Sequence, residues 1–352
     1  MRHKILLALV FTIASVPIAH AATFCVGTAA ALQTAFTTAG NNGESNTISI
    51  RSGTYLATSS GGFFYNRIAG SGSLDIEGGW NAGCTTQTPD ASLTTLDGQS
   101  MYHVMYVGVA GDPQATITVR NLTFLHGVGA TGGAAALNAH APAELRVENC
   151  RFRLNTSDTP GSGQAIVYLS TDTGPMYFIG NVVANNSALG AQYVAGFDLS
   201  AGSAFDVYLN DNTIADNTFD TTPSSAGAVF LSPIANMTLS NNILWGNGGA
   251  EFDQNITLHP LMLNNDVDVL NVSPASGSAG NRNQDPRFVN PNNHHLQATS
   301  PLYNAGHNLP AGGVGTVDLD GNPRVQFGIV DIGAYEMQVQ PDLIFANGFD
   351  GA

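Results

Sequence analysis

Between residues 116 and 247 the chain alternates apolar and polar positions in short runs that recur at a near-constant interval. Ile117-Thr-Val-Arg-Asn121, Leu145-Arg-Val-Glu-Asn149, Tyr177-Phe-Ile-Gly-Asn181, Val207-Tyr-Leu-Asn-Asp-Asn212 and Met237-Thr-Leu-Ser-Asn-Asn242 each run into an asparagine, and these asparagines step by 28, 32, 31 and 30 residues. A second set, Asn155, Asn186, Asn217 and Asn247, steps by 31, 31 and 30. Between them, small residues precede an apolar pair at Gly133 to Leu137, Gly163 to Leu169, Gly196 to Leu199 and Gly227 to Leu231. Alternation with a period of two predicts strands, and no helical period separates them.

A period near 30 that carries only strands fits one coil of a β-solenoid, with successive coils stacked about 4.8 Å apart. Neither a leucine-rich consensus nor a Trp-Asp blade motif is present, which excludes the horseshoe and propeller architectures of similar period. The expectation is therefore an all-β fold, a single-stranded right-handed parallel β-helix. Val119, Val147, Ile179, Leu209 and Leu239 are expected to stack as an inner apolar column. The nine asparagines, Asn121, Asn149, Asn181, Asn212, Asn242, Asn155, Asn186, Asn217 and Asn247, are read as a structural ladder at the corners, because asparagine tolerates the left-handed backbone and stacked amides bond along the axis.

A solenoid needs covered ends, since an open coil exposes its apolar column and unpaired strand edge. At the N-terminal end Thr28 is a helix cap, Leu32, Ala35, Phe36 and Ala39 share one helical face, and Gly40 is expected to end the helix. The first coil opens at Thr47 to Ile50. Residues 60–110 continue less regularly, and 248–283 weaken further. The domain reading is a β-helix with its N-terminal cap over 22–283, a compact Asp/Gly/Pro-rich C-terminal cap over 284–338, and a flexible tail or sorting signal over 339–352.

Met1-Arg2-His3-Lys4, the apolar run Ile5 to Val16 and Ala19-His20-Ala21 read as a signal peptide over residues 1–21, so the protein is expected to be exported, either secreted or held at the outer cell surface. No later segment has the length of a transmembrane helix. Without that leader, nine arginines and no lysine face 26 acidic residues, a formal charge of −17 that excludes nucleic acid as a partner. In an exported chain three cysteines permit one disulfide; Cys25 and Cys84, both in the irregular N-terminal third, are the candidate pair, with Cys150 left as a buried thiol in a strand.

The end of the chain carries a resemblance. Asn242-Ile-Leu-Trp-Gly-Asn247, Asp285-Pro-Arg-Phe288, His295 to Gly306, Asp318-Leu-Asp-Gly-Asn-Pro-Arg324 and Val330-Asp-Ile-Gly-Ala-Tyr-Glu336 look like the choice-of-anchor Q domain of bacterial right-handed β-helix surface proteins. Gly132-Gly-Ala134 and Phe152-Arg-Leu-Asn155 more weakly resemble the repeats of polymorphic outer-membrane proteins, and the fold implied is pectin-lyase-like. These resemblances imply secretion or surface display and bring no catalytic residues with them. The last residues, Asp342 to Asp350, resemble short tails of some exported proteobacterial proteins.

Chemistry is sparse. A polysaccharide lyase needs a base beside a neutralised uronate, commonly with Ca²⁺, and a hydrolase needs two carboxylates across the scissile bond. Arg120, Arg146, Arg151 and Arg153 with Glu144, Glu148 and Asp172 are candidates for holding an acidic sugar; cross-strand ion pairs on a solvated face are the plainer reading. Asp318-Leu-Asp-Gly-Asn322 resembles the start of a Ca²⁺ loop but lacks its closing glutamate, so a hydrogen-bonded turn is expected there, with Ca²⁺ as the alternative and no other cofactor. His294-His295 has no ligand partners in sequence, and His307 lacks the Gly-His-Gly context of polygalacturonases. The function expected is a non-catalytic secreted or surface β-helix that presents an extended face to a polysaccharide or cell-surface glycan, with Trp80, Trp245 and Tyr168 as the aromatics of interest. The alternatives are an atypical polysaccharide lyase or glycoside hydrolase, and an envelope scaffold. Intact-mass analysis after alkylation without reductant is expected to leave Cys25 and Cys84 unlabelled; label on both would refute the pairing.

Overall fold

The computed structural model describes residues 21–68, 72–129, 134–157, 165–188, 195–201, 206–219, 227–231, 236–248, 251–252 and 259–339. The leader over 1–20, the tail from 340, and Gly132, Gly133 and Gly163 of the repeat lie outside them. Among the described residues, parallel strands stack into sheets of nine, eight and six strands, here sheets I, II and III in the order in which each coil visits them. The coil Ser45–Arg51, Gly53–Leu56, Phe63–Arg67 visits the three in turn, and Leu74–Trp80 begins the next on sheet I.

Inward side chains form continuous columns because every rung keeps the same register. On sheet I the column is Ile48, Ile76, Val119, Val147, Phe178, Leu209, Leu239, Met262, and all eight are buried. On sheet II it includes Leu96, Phe124, Phe152, Val183 and Ile214. There Phe124 and Phe152 stack with ring centroids 4.8 Å apart. Ile179, expected in the inner column, instead sits one residue beyond it, and Phe178 takes the place. Because the side-chain period of a strand is two, a slip of one residue exchanges inside for outside.

The same slip separates the asparagines. At the bend from sheet I to sheet II one residue adopts positive φ, successively Asn121, Asn149, Gly180, Asp211, Asn241, Asn264 and Gly280, and the next residue points inward as the rung of the ladder. The rungs are Leu122, Cys150, Asn181, Asn212, Asn242, Asn265 and Asn281, of which Cys150 donates its N–H to Asn181 Oδ1 at 2.8 Å and each asparagine from 181 passes the bond onward. Asn121 and Asn149 are thus bend residues and not members of the ladder, and Asn265 and Asn281 complete it. They fall outside the repeat because the last coils shorten to separations of 23 and 16 residues.

The second ladder, Asn155, Asn186, Asn217 and Asn247, runs along the far corner of sheet II. Asn186 shows its chemistry: Nδ2 donates to Phe152 O and Asn217 Oδ1, both at 2.9 Å, while its Oδ1 accepts from Asn155 N at 3.0 Å and Asn155 Nδ2 at 2.9 Å. Both amide hydrogens and both lone pairs are used, so a wholly buried polar side chain is satisfied. Glu251 ends this ladder by accepting from Asn247 Nδ2 at 2.8 Å.

The helix Ala29–Asn41 closes the N-terminal end, with Thr28 Oγ1 accepting from Ala31 N at 3.1 Å and Leu32, Ala35, Phe36 and Ala39 buried. The helix runs past Gly40, which packs against the backbone of Asn66, and stops at Asn42, followed by Gly43 at φ 72°. Gln33 on this helix also pairs with the edge strand, donating to Phe64 O and accepting from Phe64 N, both at 2.9 Å. An otherwise open sheet edge is thereby occupied. Cys25 and Cys84 form a disulfide with Cα atoms 5.8 Å apart, tying the first strand to the loop after Trp80, and Cys150 is free and buried.

Residues from about 282 onward do not simply close the far end. They turn back along the flank of the solenoid, so that Leu319 reaches Ala91 and Arg324 reaches Asp211. Leu319, Ala334 and Tyr335 pack on Val182 and Ala184, and Leu302, Ala305 and Ile332 on Ile243. The outer face of sheet II is therefore covered over its middle rungs, while Leu56 on its first strand stays exposed.

Replacing Asn186 by Ala removes the partners of several buried groups and is expected to lower stability by about 2–3 kcal/mol in urea unfolding. Asn149→Ala, which only exchanges a residue that tolerates left-handed backbone for one that tolerates it less, is expected to cost about 1 kcal/mol. Equal losses would contradict the division into rung and bend.

Candidate functional site

The flank segment decides which surfaces can meet a ligand. Its anchor is Arg324, fully buried, which donates to Asp211 Oδ1 at 2.8 Å, Gly333 O at 2.6 Å and Asp331 O at 3.2 Å. The bend residues supply the other docking points: Asn241 receives His307 N on Oδ1 at 2.6 Å, and Asn264 Nδ2 donates to Ala305 O at 2.9 Å. Thr213 Oγ1 accepts from Ala334 N at 3.0 Å. His307 is in this way engaged through its backbone in docking.

The arginines and carboxylates singled out from the sequence do not meet in one site. Arg120 pairs with Glu77 across strands of sheet I. Arg146 on the same face is held by Glu144 at 2.6 Å and Glu148 at 2.8 Å, with its guanidinium 3.7 Å from the centre of the Tyr177 ring. Arg151 and Arg153 lie around the bend on sheet II, where Arg151 pairs with Asp320 of the flank segment. Asp172 is on the far side, 3.4 Å from His140 Nε2. Arg120, Glu148, Asn121 and Asn149 do line a cleft of about 380 Å³ beneath Gly315 to Val317, but charge there is already matched within the protein.

The Asp318 turn uses its carboxylate internally: Oδ1 accepts from Asp320 N at 3.1 Å and Asn322 N at 2.8 Å, and Oδ2 from Glu336 N at 3.1 Å. His294 and His295 diverge, the first bonding Asp216 at 3.0 Å and the second bonding Asp320 at 2.6 Å while stacking on Tyr335. Trp80 ends a sheet I strand and bridges to Gln87. Trp245 ends the strand Ile243–Trp245 at the border of the flank segment.

Sheet III presents a different surface. Over its first four strands the outward positions form two columns, Phe64, Tyr106, Asn138, Tyr168 and Asn66, Gly108, His140, Ser170, aligned rung by rung, and the fifth strand places Asp198 in register with Tyr168. Phe64 is 46% exposed and stacks on Tyr106 with centroids 5.0 Å apart. Tyr106 leans over Gly108, where a β-carbon would stand 2.7 Å from its hydroxyl. His140 Nδ1 and Ser170 Oγ are 2.9 Å apart. No acidic residue, arginine or lysine occupies these eight positions, and four rungs extend about 14 Å at a spacing of about 4.8 Å.

Several carboxyls are pushed well above their ordinary range by burial: Asp211 and Asp266 to about 6, Glu251 and Glu336 to about 8. Arg324 opposes the shift at Asp211, and Asn247 that at Glu251. None of these groups is free to protonate a bound chain: Glu336 accepts from Gln326 N and Asp331 N at 3.0 and 2.9 Å, and Asp211, Glu251 and Asp266 have no exposed surface. Since the folded protein holds these protons more tightly than the unfolded chain, their contribution to stability is full below about pH 4 and is lost as pH rises through about 6 and then about 8. The melting temperature is therefore expected to fall between pH 5 and pH 8, and Glu251→Gln to flatten the upper part of that fall; a rise over the same interval would contradict the assignment.

No curated protein matches the chain. The family model described as "Right handed beta helix region" matches residues 87–267, the stretch that contains most of the stacked coils. With the three parallel sheets in place, that match makes the chain a member of the right-handed β-helix family.

Proposed function

We propose that the protein is an exported, non-catalytic β-helix that binds a neutral polysaccharide or cell-surface glycan along the outer face of sheet III. The observation that carries this reading is the uncharged column Phe64, Tyr106, Asn138, Tyr168 beside Asn66, His140 and Ser170. Aromatic rings offer apolar contact to the C–H faces of sugar rings, and the neighbouring amides, imidazole and hydroxyl donate to or accept from sugar hydroxyls. A linear chain lying along the axis meets an aromatic ring or an amide of the first column on each of these four rungs. The charge of the exported chain also favours neutral sugars, because the arginines paired with Glu77, Glu144, Glu148, Asp211 and Asp320 have no charge to spare for a uronate.

A non-catalytic role is supported by the internal engagement of the elevated-pKa carboxyls, none of which lies on a strand of sheet III. Surface display is supported by the leader-like N-terminus and by the choice-of-anchor Q motifs of the flank segment, with the tail beyond residue 339 as a sorting signal.

Affinity electrophoresis through gels containing glucan, galactan, mannan, xylan or polygalacturonate tests the reading. Retention is expected in at least one neutral gel, with no shortening of the polymer, and weaker by about tenfold for Tyr106→Ala/Tyr168→Ala at unchanged melting temperature. Retention only on polygalacturonate, or new chain ends in any gel, would overturn it in favour of an enzyme for that polymer. Absence of retention throughout would leave the envelope scaffold.

A further inference from the structure

We propose that the cleft around Trp245 is a subsite for one neutral pyranose unit, separate from the sheet III face and resting on the glycan-binding reading. It is an open groove of about 410 Å³ between the outer face of sheet II and the hairpin Phe288–Asn290/Asn293–Leu296, and Trp245, Asp216, Asp285, Arg287, Asn290 and Gln297 line it. Small-molecule clefts commonly fall at about 300–1,000 Å³, with an apolar wall and a few convergent polar groups.

The wall is the indole. Trp245 follows Ala184 and Ala215 in its outward column, so nothing larger than a methyl group stands beside it on the preceding rungs. Around it the polar groups alternate in character. Asp216 and Asp285 accept hydrogen bonds, Arg287 donates, and Asn290 and Gln297 do both. This mixture matches vicinal hydroxyls, each of which donates and accepts. A uronate would bring its carboxylate against two aspartates and one arginine.

Asp216 is held ready by the scaffold. It occupies the left-handed bend at φ 54° before the ladder residue Asn217, and His294 Nε2 lies 3.0 Å from its Oδ2. His294 is itself buried and packed edge-on against Phe288 at 4.9 Å. A carboxylate fixed by a ladder corner and a buried imidazole binds without ordering cost. Asp285 Oδ1 accepts Arg287 N at 2.8 Å, which leaves Oδ2 for the ligand, and Arg287 is steadied by Thr299 O.

Tryptophan fluorescence of the full chain, titrated with short gluco-, galacto-, manno- and xylo-oligosaccharides and with oligogalacturonate, tests the subsite. A saturable change is expected with at least one neutral series, and weaker or none with oligogalacturonate. Asp285→Asn, which keeps the acceptor for Arg287 N, should weaken the response at least fivefold, and Trp245→Phe should abolish the signal; Tyr168→Ala should leave it unchanged. Neutral binding that survives both Asp285→Asn and Trp245→Phe, or that Tyr168→Ala removes, would overturn the subsite while the sheet III reading stood. Gel retention of polymers without any response to short sugars would do the same. Failure of polymers and short sugars together would end both.

Discussion

Each coil of this solenoid must turn three corners, and each corner carries backbone and side-chain polar groups into a stack that excludes water. The asparagine ladders answer that constraint. An inward amide at the rung satisfies the carbonyl of the coil before it and the N–H of the rung beside it, as Asn186 does with Phe152, Asn155 and Asn217. The apolar columns then follow, because a ladder that fixes the corner fixes the register of all three strands in the coil. Where the rung is Leu122 or Cys150 the side-chain amide is dispensed with, and the corner is held by packing and backbone hydrogen bonds such as Arg151 N to Leu122 O and Val182 N to Cys150 O. Burial raises the Cys150 thiol to about 12, which keeps it protonated and inert.

The bend residue that precedes each rung points outward, and the C-terminal segment uses that fact. Asp211, Asn241 and Asn264 satisfy the left-handed backbone and at the same time receive the segment. Burying Arg324 with Asp211 is electrostatically expensive on its own, since removing two charges from water costs more than their attraction returns unless other bonds assist. The carbonyls of Asp331 and Gly333 assist here. The result is a sheet II covered over its middle rungs, arginines paired internally on sheets I and II, and a sheet III whose first four strands carry aromatic and uncharged polar side chains outward.

The coil period, the helical cap over Ala29–Asn41 and most inner positions were legible in the sequence because they obey simple periods. The one-residue slip at Asn121, Asn149 and Ile179 was not, since an asparagine can serve either as bend or as rung, and only the following residue distinguishes them. In Asn149-Cys150 the rung is a cysteine, whereas in Gly180-Asn181 the bend is a glycine. The flank docking does leave a signal in the sequence: Val182-Val-Ala184, Thr213-Ile-Ala215 and Ile243-Leu-Trp245 are apolar or small at nearly every position, where an exposed strand would alternate. Asp216, Asp285 and Arg287 could not be grouped from sequence, because the bend and the flank segment meet only after the chain folds back.

Under the proposed function, the fold is a rigid frame for glycan recognition on the sheet III face. Hydrogen–deuterium exchange of the full chain, with and without a retained neutral polysaccharide, tests this most directly. Slowed exchange is expected around Phe63–Arg67, Met105–Val109, Leu137–Ala141 and Val167–Thr171, with the Glu144–Glu148 and Met176–Ile179 strands of sheet I unchanged. Protection centred on those sheet I strands, with sheet III unaffected, would contradict it.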